Sequence, residues 1–238
     1  MKGGGSRGSR STPAAWTPGS ARRSLVAVTN ALERRYGLPE HSGYGDVVAS
    51  LVATILSQNT SDVNSARAFE SLRKRFPGWG EVARARATTI ERAIRSGGLA
   101  RTKSVRIRAI LQEIECRTGA IDLGFLADMD TDDVLEYLMG FEGVGRKTAA
   151  CVALFELRRD VVPVDTHVHR VVARLEVLGR PGSPEQTFDR LRETAPAGRA
   201  LSLHVNLIRL GRELCRPRQP RCDGCPLSGR CAHAARGG

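Results

Sequence analysis

The sequence predicts an all-α fold. Apolar residues recur at three- and four-residue spacing in segment after segment. No alternating strand pattern of useful length interrupts them, and short stretches of Gly, Pro, Ser or Asn punctuate them. A chain of 238 residues provides one large or two small domains, and a hydrophobic content of 41% suffices for a core. The formal net charge of +12 points to a polyanionic partner. Arginine dominates the basic residues and suits bidentate phosphate contacts, though a GC-rich genome enriches it as well. No apolar run reaches membrane-spanning length, and the first residues lack the apolar core of a secretory signal.

Residues 1–23 are rich in Gly, Ser, Pro and Arg and hold no acidic residue. They read as a disordered basic tail rather than an amphipathic transit peptide. Ser24 to Tyr36 reads as a first helix, with Leu25, Val28, Leu32 and Tyr36 on one stripe and Gly37 as its stop. Asp46 to Leu56 is almost wholly apolar but too short to cross a bilayer, so it predicts a buried core helix. It runs into Ser57-Gln58-Asn59-Thr60, a polar cluster that is either a capping segment or a reading surface. Helices are predicted over Ser61–Phe76, stopped by Pro77-Gly78, and over Thr89–Ser96, stopped by Gly97-Gly98. Leu99 to Lys103 then leads into a helix ending near Cys116.

Thr131 to Met139 predicts a short helix with Thr131 as N-cap and Asp132 and Asp133 in its first turn. The stretch Phe-Glu-Gly-Val-Gly-Arg-Lys follows at Phe141–Lys147, and Arg146 to Leu157 predicts the next helix. Gly143 and Gly145 flank Val144, and glycine permits positive φ and close backbone approach. A tight glycine turn that opens a helix leaves backbone N–H groups free beside the positive end of the dipole, which suits a phosphate. Lys147 falls in that first turn. An amine nucleophile must be neutral, and both the helix N-terminus and Arg146 disfavour positive charge there. The alternative is an ordinary helix connection with a surface lysine.

Val161-Val162-Pro163-Val164 precedes Asp165-Thr166-His167. Asp165 is the N-cap of a helix over Val168–Leu178 stopped by Gly179, or a functional carboxylate, or both. Ser183-Pro184 opens another helix, and the last runs from about Arg199 to Leu214. Cys215, Cys222, Cys225 and Cys231 then follow with six, two and five residues between them. Four thiolates bind zinc or a [4Fe–4S] cluster; only Cys222 and Cys225 form the close pair that zinc sites favour, and the wider spacings suit a cubane. Arg216, Arg218 and Arg221 between the first two ligands meet phosphate or form a plain solvated face. Cys116 and Cys151, on apolar helices, read as packed thiols.

Phe-Glu-Gly-Val-Gly-Arg-Lys-Thr-Ala, Val-Asp-Thr-His-Val-His-Arg-Val and the four spaced cysteines together resemble endonuclease III, the iron–sulfur DNA glycosylase/AP lyase of the helix–hairpin–helix superfamily. The likeness runs from about Tyr44 to Cys231. It implies two helical domains with a DNA cleft between them. One is a six-helix bundle over 40–159 carrying the hairpin; the other is an iron–sulfur domain from 24–39 and 160–238. By resemblance Lys147 is the catalytic lysine and Asp165 the catalytic aspartate. Gly143, Val144 and Gly145 form the hairpin, and His167 stands beside the aspartate. Gln58 or Asn59 fills the gap left by a flipped base, and Leu99 intercalates. The four cysteines hold a [4Fe–4S] cluster. The implied reaction removes oxidised pyrimidines of the thymine glycol type and nicks the strand by β-elimination through a lysine Schiff base. The implied partner is double-stranded DNA with damaged bases or abasic sites, bound by a cytoplasmic, nucleoid-associated monomer with no membrane partner. Two alternatives stand: a glycosylase of the same superfamily for mismatched or alkylated bases, and a non-catalytic iron–sulfur DNA-binding module. The departure from the family pattern is Glu142, where proline is usual; it adds flexibility and negative charge beside the expected phosphate site. Phe141 for Leu or Ile is milder.

Overall fold

The computed structural model describes residues 16–237; residues 1–15 of the expected tail lie outside the described residues. Among the described residues there are twelve α-helices, three short 3-10 turns and no strand. None of these helices is long and apolar enough to cross a membrane.

Helix α1 spans Pro18–Tyr36 and corrects the tail boundary. Thr17 and Ser20 form a reciprocal capping box and Pro18 takes the first helical position, so local capping overrides the polar composition of residues 18–23. Helix α2, Val47–Ser57, is capped by Asp46, whose carboxylate accepts the Ala49 N–H at 2.6 Å. Helix α3 covers Asp62–Arg75 behind its cap Ser61. Helix α4, Trp79–Arg84, and α5, Ala87–Ala93, follow. The sequence reading missed α4, so residues 40–159 hold seven α-helices rather than six. Helix α6 runs Ala100–Thr118, and α7 Thr131–Met139. Thr131 is the first helical residue of α7 and not its cap; Asp130 occupies that position without a side-chain bond. Helix α8 is Arg146–Phe155. Helix α9, Thr166–Leu175, stops three residues before the expected Leu178, because Glu176 turns left-handed at φ +58. Helices α10, Pro184–Thr194, α11, Ala200–Glu213, and the short α12, Ala232–Ala235, complete the chain.

Helix α2 is buried on nearly every side and packs against α3, α6 and α8. Helix α1 lies across α10 and α11, tied by ion pairs from Arg199 to Glu33 and from Arg35 to Glu213. Helix α9 packs on α10, α11 and α12, and α11 also touches α8. One continuous apolar core joins the two groups of helices. Cys151 is buried as expected, but Cys116 faces out of α6 and is exposed, contrary to its reading as a packed thiol. It falls two positions past Ile114, the last buried residue of that helix, on the outward side of the turn.

Candidate active site

The turn between α7 and α8 is anchored by Phe141, which is buried. The ring meets Tyr137 edge-on at 5.7 Å and carries the Arg117 guanidinium 4.6 Å above its centre. The Val144 N–H closes the turn on the Phe141 carbonyl at 3.1 Å. Gly143 has φ +77, and a Cβ there would collide with the Arg106 side chain, so both conformation and space demand glycine. Gly145 has an ordinary φ of −87, so only the first glycine uses the left-handed region. No side chain caps the first turn of α8. Glu142 is exposed at the turn. Arg146 points away from the cleft: it pairs with Asp189 at 2.7 Å and lies over Phe188 of α10. The Asp189 carboxylate offsets its charge.

Lys147, in the first turn of α8, and Asp165, at the start of α9, line the same cleft of about 950 Å³. Both are half-buried. One Asp165 oxygen accepts the Val168 N–H at 2.7 Å, so this residue caps α9 and faces the cleft at once. His167 also lines the cleft, with Nδ1 3.0 Å from the Arg170 guanidinium.

Gln58 and Asn59 differ in situation. The Gln58 amide donates to the Thr148 hydroxyl at 3.1 Å, and its oxygen accepts from Arg106 at 3.1 Å. Asn59 is exposed with φ +53. Leu99 is 60% exposed with φ +48, just ahead of α6.

Several cleft residues escaped the sequence reading. His204 of α11 is buried, stands edge-on to Phe155, and has Nδ1 2.9 Å from the Pro163 carbonyl. Since a carbonyl only accepts, Nδ1 carries the proton and Nε2 is left as an acceptor. Burial pushes His204 down to about 4, with the Lys147 charge adding to this against the pull of Asp165. A lone histidine within an apolar helix was the available clue. Arg212 of α11 grips Asp62 of α3 through two bonds of 2.6 and 3.2 Å across the cleft mouth. The Arg212 hydrogen bond holds the Asp62 carboxyl below the usual carboxylate range. Burial pushes up the Cys151 thiol, which lines the cleft near Lys147.

The four C-terminal cysteines are half-buried, and the Cys215 and Cys231 sulfurs both reach Arg174 of α9. Arg174 lies 3.3 Å from the Cys215 sulfur and donates to the Arg216 and Pro217 carbonyls. Burial, then charge on Cys231 and Cys215, pushes up the Cys222 thiol; burial and the other three sulfurs do the same to Cys225. Among the described residues, no group of three or more His, Cys, Asp or Glu is arranged to hold a metal ion. Arg216, Arg218 and Arg221 are exposed on the intervening loop.

Residues 52–197 match the family described as HhH-GPD superfamily base excision DNA repair protein. An endonuclease III from Sulfolobus acidocaldarius is 33% identical over 193 residues, covering 79% of this chain and 82% of that protein. The chain belongs to the HhH-GPD superfamily, in its endonuclease III family. A protein of Arabidopsis thaliana, named provisionally as a DNA glycosylase, is 35% identical over 192 residues, 77% of this chain and 66% of its own length. The fold matches the structure of a trapped endonuclease III–DNA covalent intermediate with a TM-score of 0.77 at 24% identity, covering 90% of this chain and 97% of that one. Membership in this HhH-GPD family makes the chain a base excision DNA repair protein.

Proposed function

We propose that this protein is a bifunctional DNA glycosylase and AP lyase that removes oxidised pyrimidines from double-stranded DNA. The carrying observation is that two helix starts, those of α8 and α9, bring Lys147 and Asp165 to one cleft. A base inside a duplex is out of reach, so the damaged nucleotide is turned into the cleft. The hairpin at Gly143–Gly145 and the uncapped start of α8 grip a backbone phosphate. The neutral Lys147 amine forms a bond to the sugar C1′ while the glycosidic bond breaks, its electron pair leaving with the base, which takes up a proton. Asp165 stabilises positive charge on the sugar and assists proton transfer from the amine. The adduct opens to an imine between Lys147 and C1′. Loss of the C2′ proton then expels the 3′ phosphate with its electron pair, which nicks the strand. Exposed Asn59 fills the vacated stack together with Leu99, whereas the Gln58 amide is already engaged at the hairpin.

The donor set of Cys215, Cys222, Cys225 and Cys231 is all free thiol and half-buried, which is the ligand chemistry of a [4Fe–4S] cluster. Such a cluster would supply a rigid tie for the loop that presents Arg216, Arg218 and Arg221 to DNA.

Borohydride reduction with abasic DNA tests the reading. The protein is expected to form a covalent adduct, and Lys147→Ala to form none; equal trapping by Lys147→Ala overturns the assignment. Cleavage of thymine glycol, uracil, 8-oxoguanine and G·T duplexes separates oxidised pyrimidines from mismatched bases as the substrate.

A further inference from the structure

Lys103 is a basic residue with only 2% of its surface exposed. Its ammonium has three donors and meets three acceptors. These are the Leu56 carbonyl at 2.6 Å, the Thr60 hydroxyl at 2.7 Å and the Gly97 carbonyl at 2.8 Å. The Thr60 hydroxyl bonds in turn to the Gly97 carbonyl. One cation therefore staples the end of α2 and the loop after it to the loop before α6. Those loops carry Asn59 and Leu99, the two exposed residues with left-handed backbones that flank this knot. Non-glycine residues in that region cost of order 1–3 kcal/mol each and persist only where the surroundings over-determine them. Gly97 serves the same closeness: a Cβ there would stand 3.0 Å from Ala68 of α3.

An apolar side chain of similar volume would fill this place without the cost of burying a charge. What the ammonium adds is direction, three bonds that fix the two tips against each other. We propose that Lys103 is a positioning residue that sets Asn59 and Leu99 at a fixed separation for insertion into the DNA stack. This deepens the function proposed above and rests on it for the role of the two tips, but it requires no chemistry at Lys147.

The test uses the full chain and a duplex holding a tetrahydrofuran abasic analogue opposite 2-aminopurine, whose fluorescence rises when a side chain wedges the stack open. Lys103→Met is expected to slow that rise about tenfold or more, the scale of losing hydrogen bonds to a charged group. Borohydride trapping on a single-stranded abasic oligonucleotide, which needs no wedge, is expected to stay unchanged. A wild-type rate of fluorescence rise in Lys103→Met overturns the proposal, as does an equal loss of both signals, which marks a merely structural lysine. Should Lys103→Met fail to fold, Thr60→Val removes one acceptor and the hydroxyl link while leaving both carbonyls. It is expected to show the same split at smaller size, and a wild-type rise in that variant counts against the proposal equally. A wild-type protein that wedges the duplex but never traps would overturn the Lys147 assignment alone.

Discussion

Asp165 shows how one side chain does two jobs. Capping α9 commits one carboxylate oxygen to the Val168 N–H and fixes the rotamer, so the group is held still without a charged partner. The sequence left cap, functional acid or both open, and the geometry permits both at once. His204 was harder to read, since nothing near it in the chain marks a site. Its surroundings come from Pro163, Phe155 and the cleft, all brought there by folding. An exposed histidine protonates near ~6.5. Burial moves His204 to about 4, so between these values the unfolded chain binds a proton that the folded protein refuses. Stability present above ~6.5 is therefore lost progressively as pH falls toward about 4. Melting temperatures measured from pH 7 to pH 4.5 are expected to fall, and to fall less steeply in His204→Gln. Equal slopes would show that another group carries the effect.

At the scale of elements, strong local rules were legible. Ser183 caps the helix that Ser183-Pro184 announces, and the apolar run of α2 is buried as its composition demands. The elements that were missed break those rules. Helix α4 has six residues, one of them Gly80, and opens directly after the Pro77-Gly78 stop, so its local propensity is poor. Its burial of Val82 and Ala83 is a tertiary gain that no local pattern announces. The hairpin was legible because glycine there answers a backbone need, but the reason Gly143 is doubly required, the Arg106 side chain from α6, was not. Gly143→Ala is expected to destabilise the fold by about 1–3 kcal/mol, from left-handed strain and the displaced arginine. It should also weaken duplex binding, because Arg106 holds Gln58 against the same turn. Chemical denaturation and a binding titration check both effects; a variant of wild-type stability would mean that the turn relaxes freely.

At the scale of the whole molecule, the all-helical class followed from periodicity, while the cleft depends on contacts between distant segments. Asp62 and Arg212 meet across 150 positions, and neither carries a local mark of the other. The net charge of +12 acts at this scale too. Each phosphate neutralised releases counterions, so the logarithm of the duplex binding constant should fall with the logarithm of salt by about 0.9 per contact. A salt series read by fluorescence anisotropy measures this slope, and a flat line would remove phosphate gripping from the mechanism.

The long first helix sets an order for assembly. Leu25, Val28 and Leu32 find their cover on α10 and α11, about 170 residues further along the chain. A nascent chain emerging from the ribosome must therefore keep that greasy stripe unpartnered until α10 and α11 have been made. Synthesis that stalls before α11 should leave a sticky fragment, a natural target for holdase chaperones.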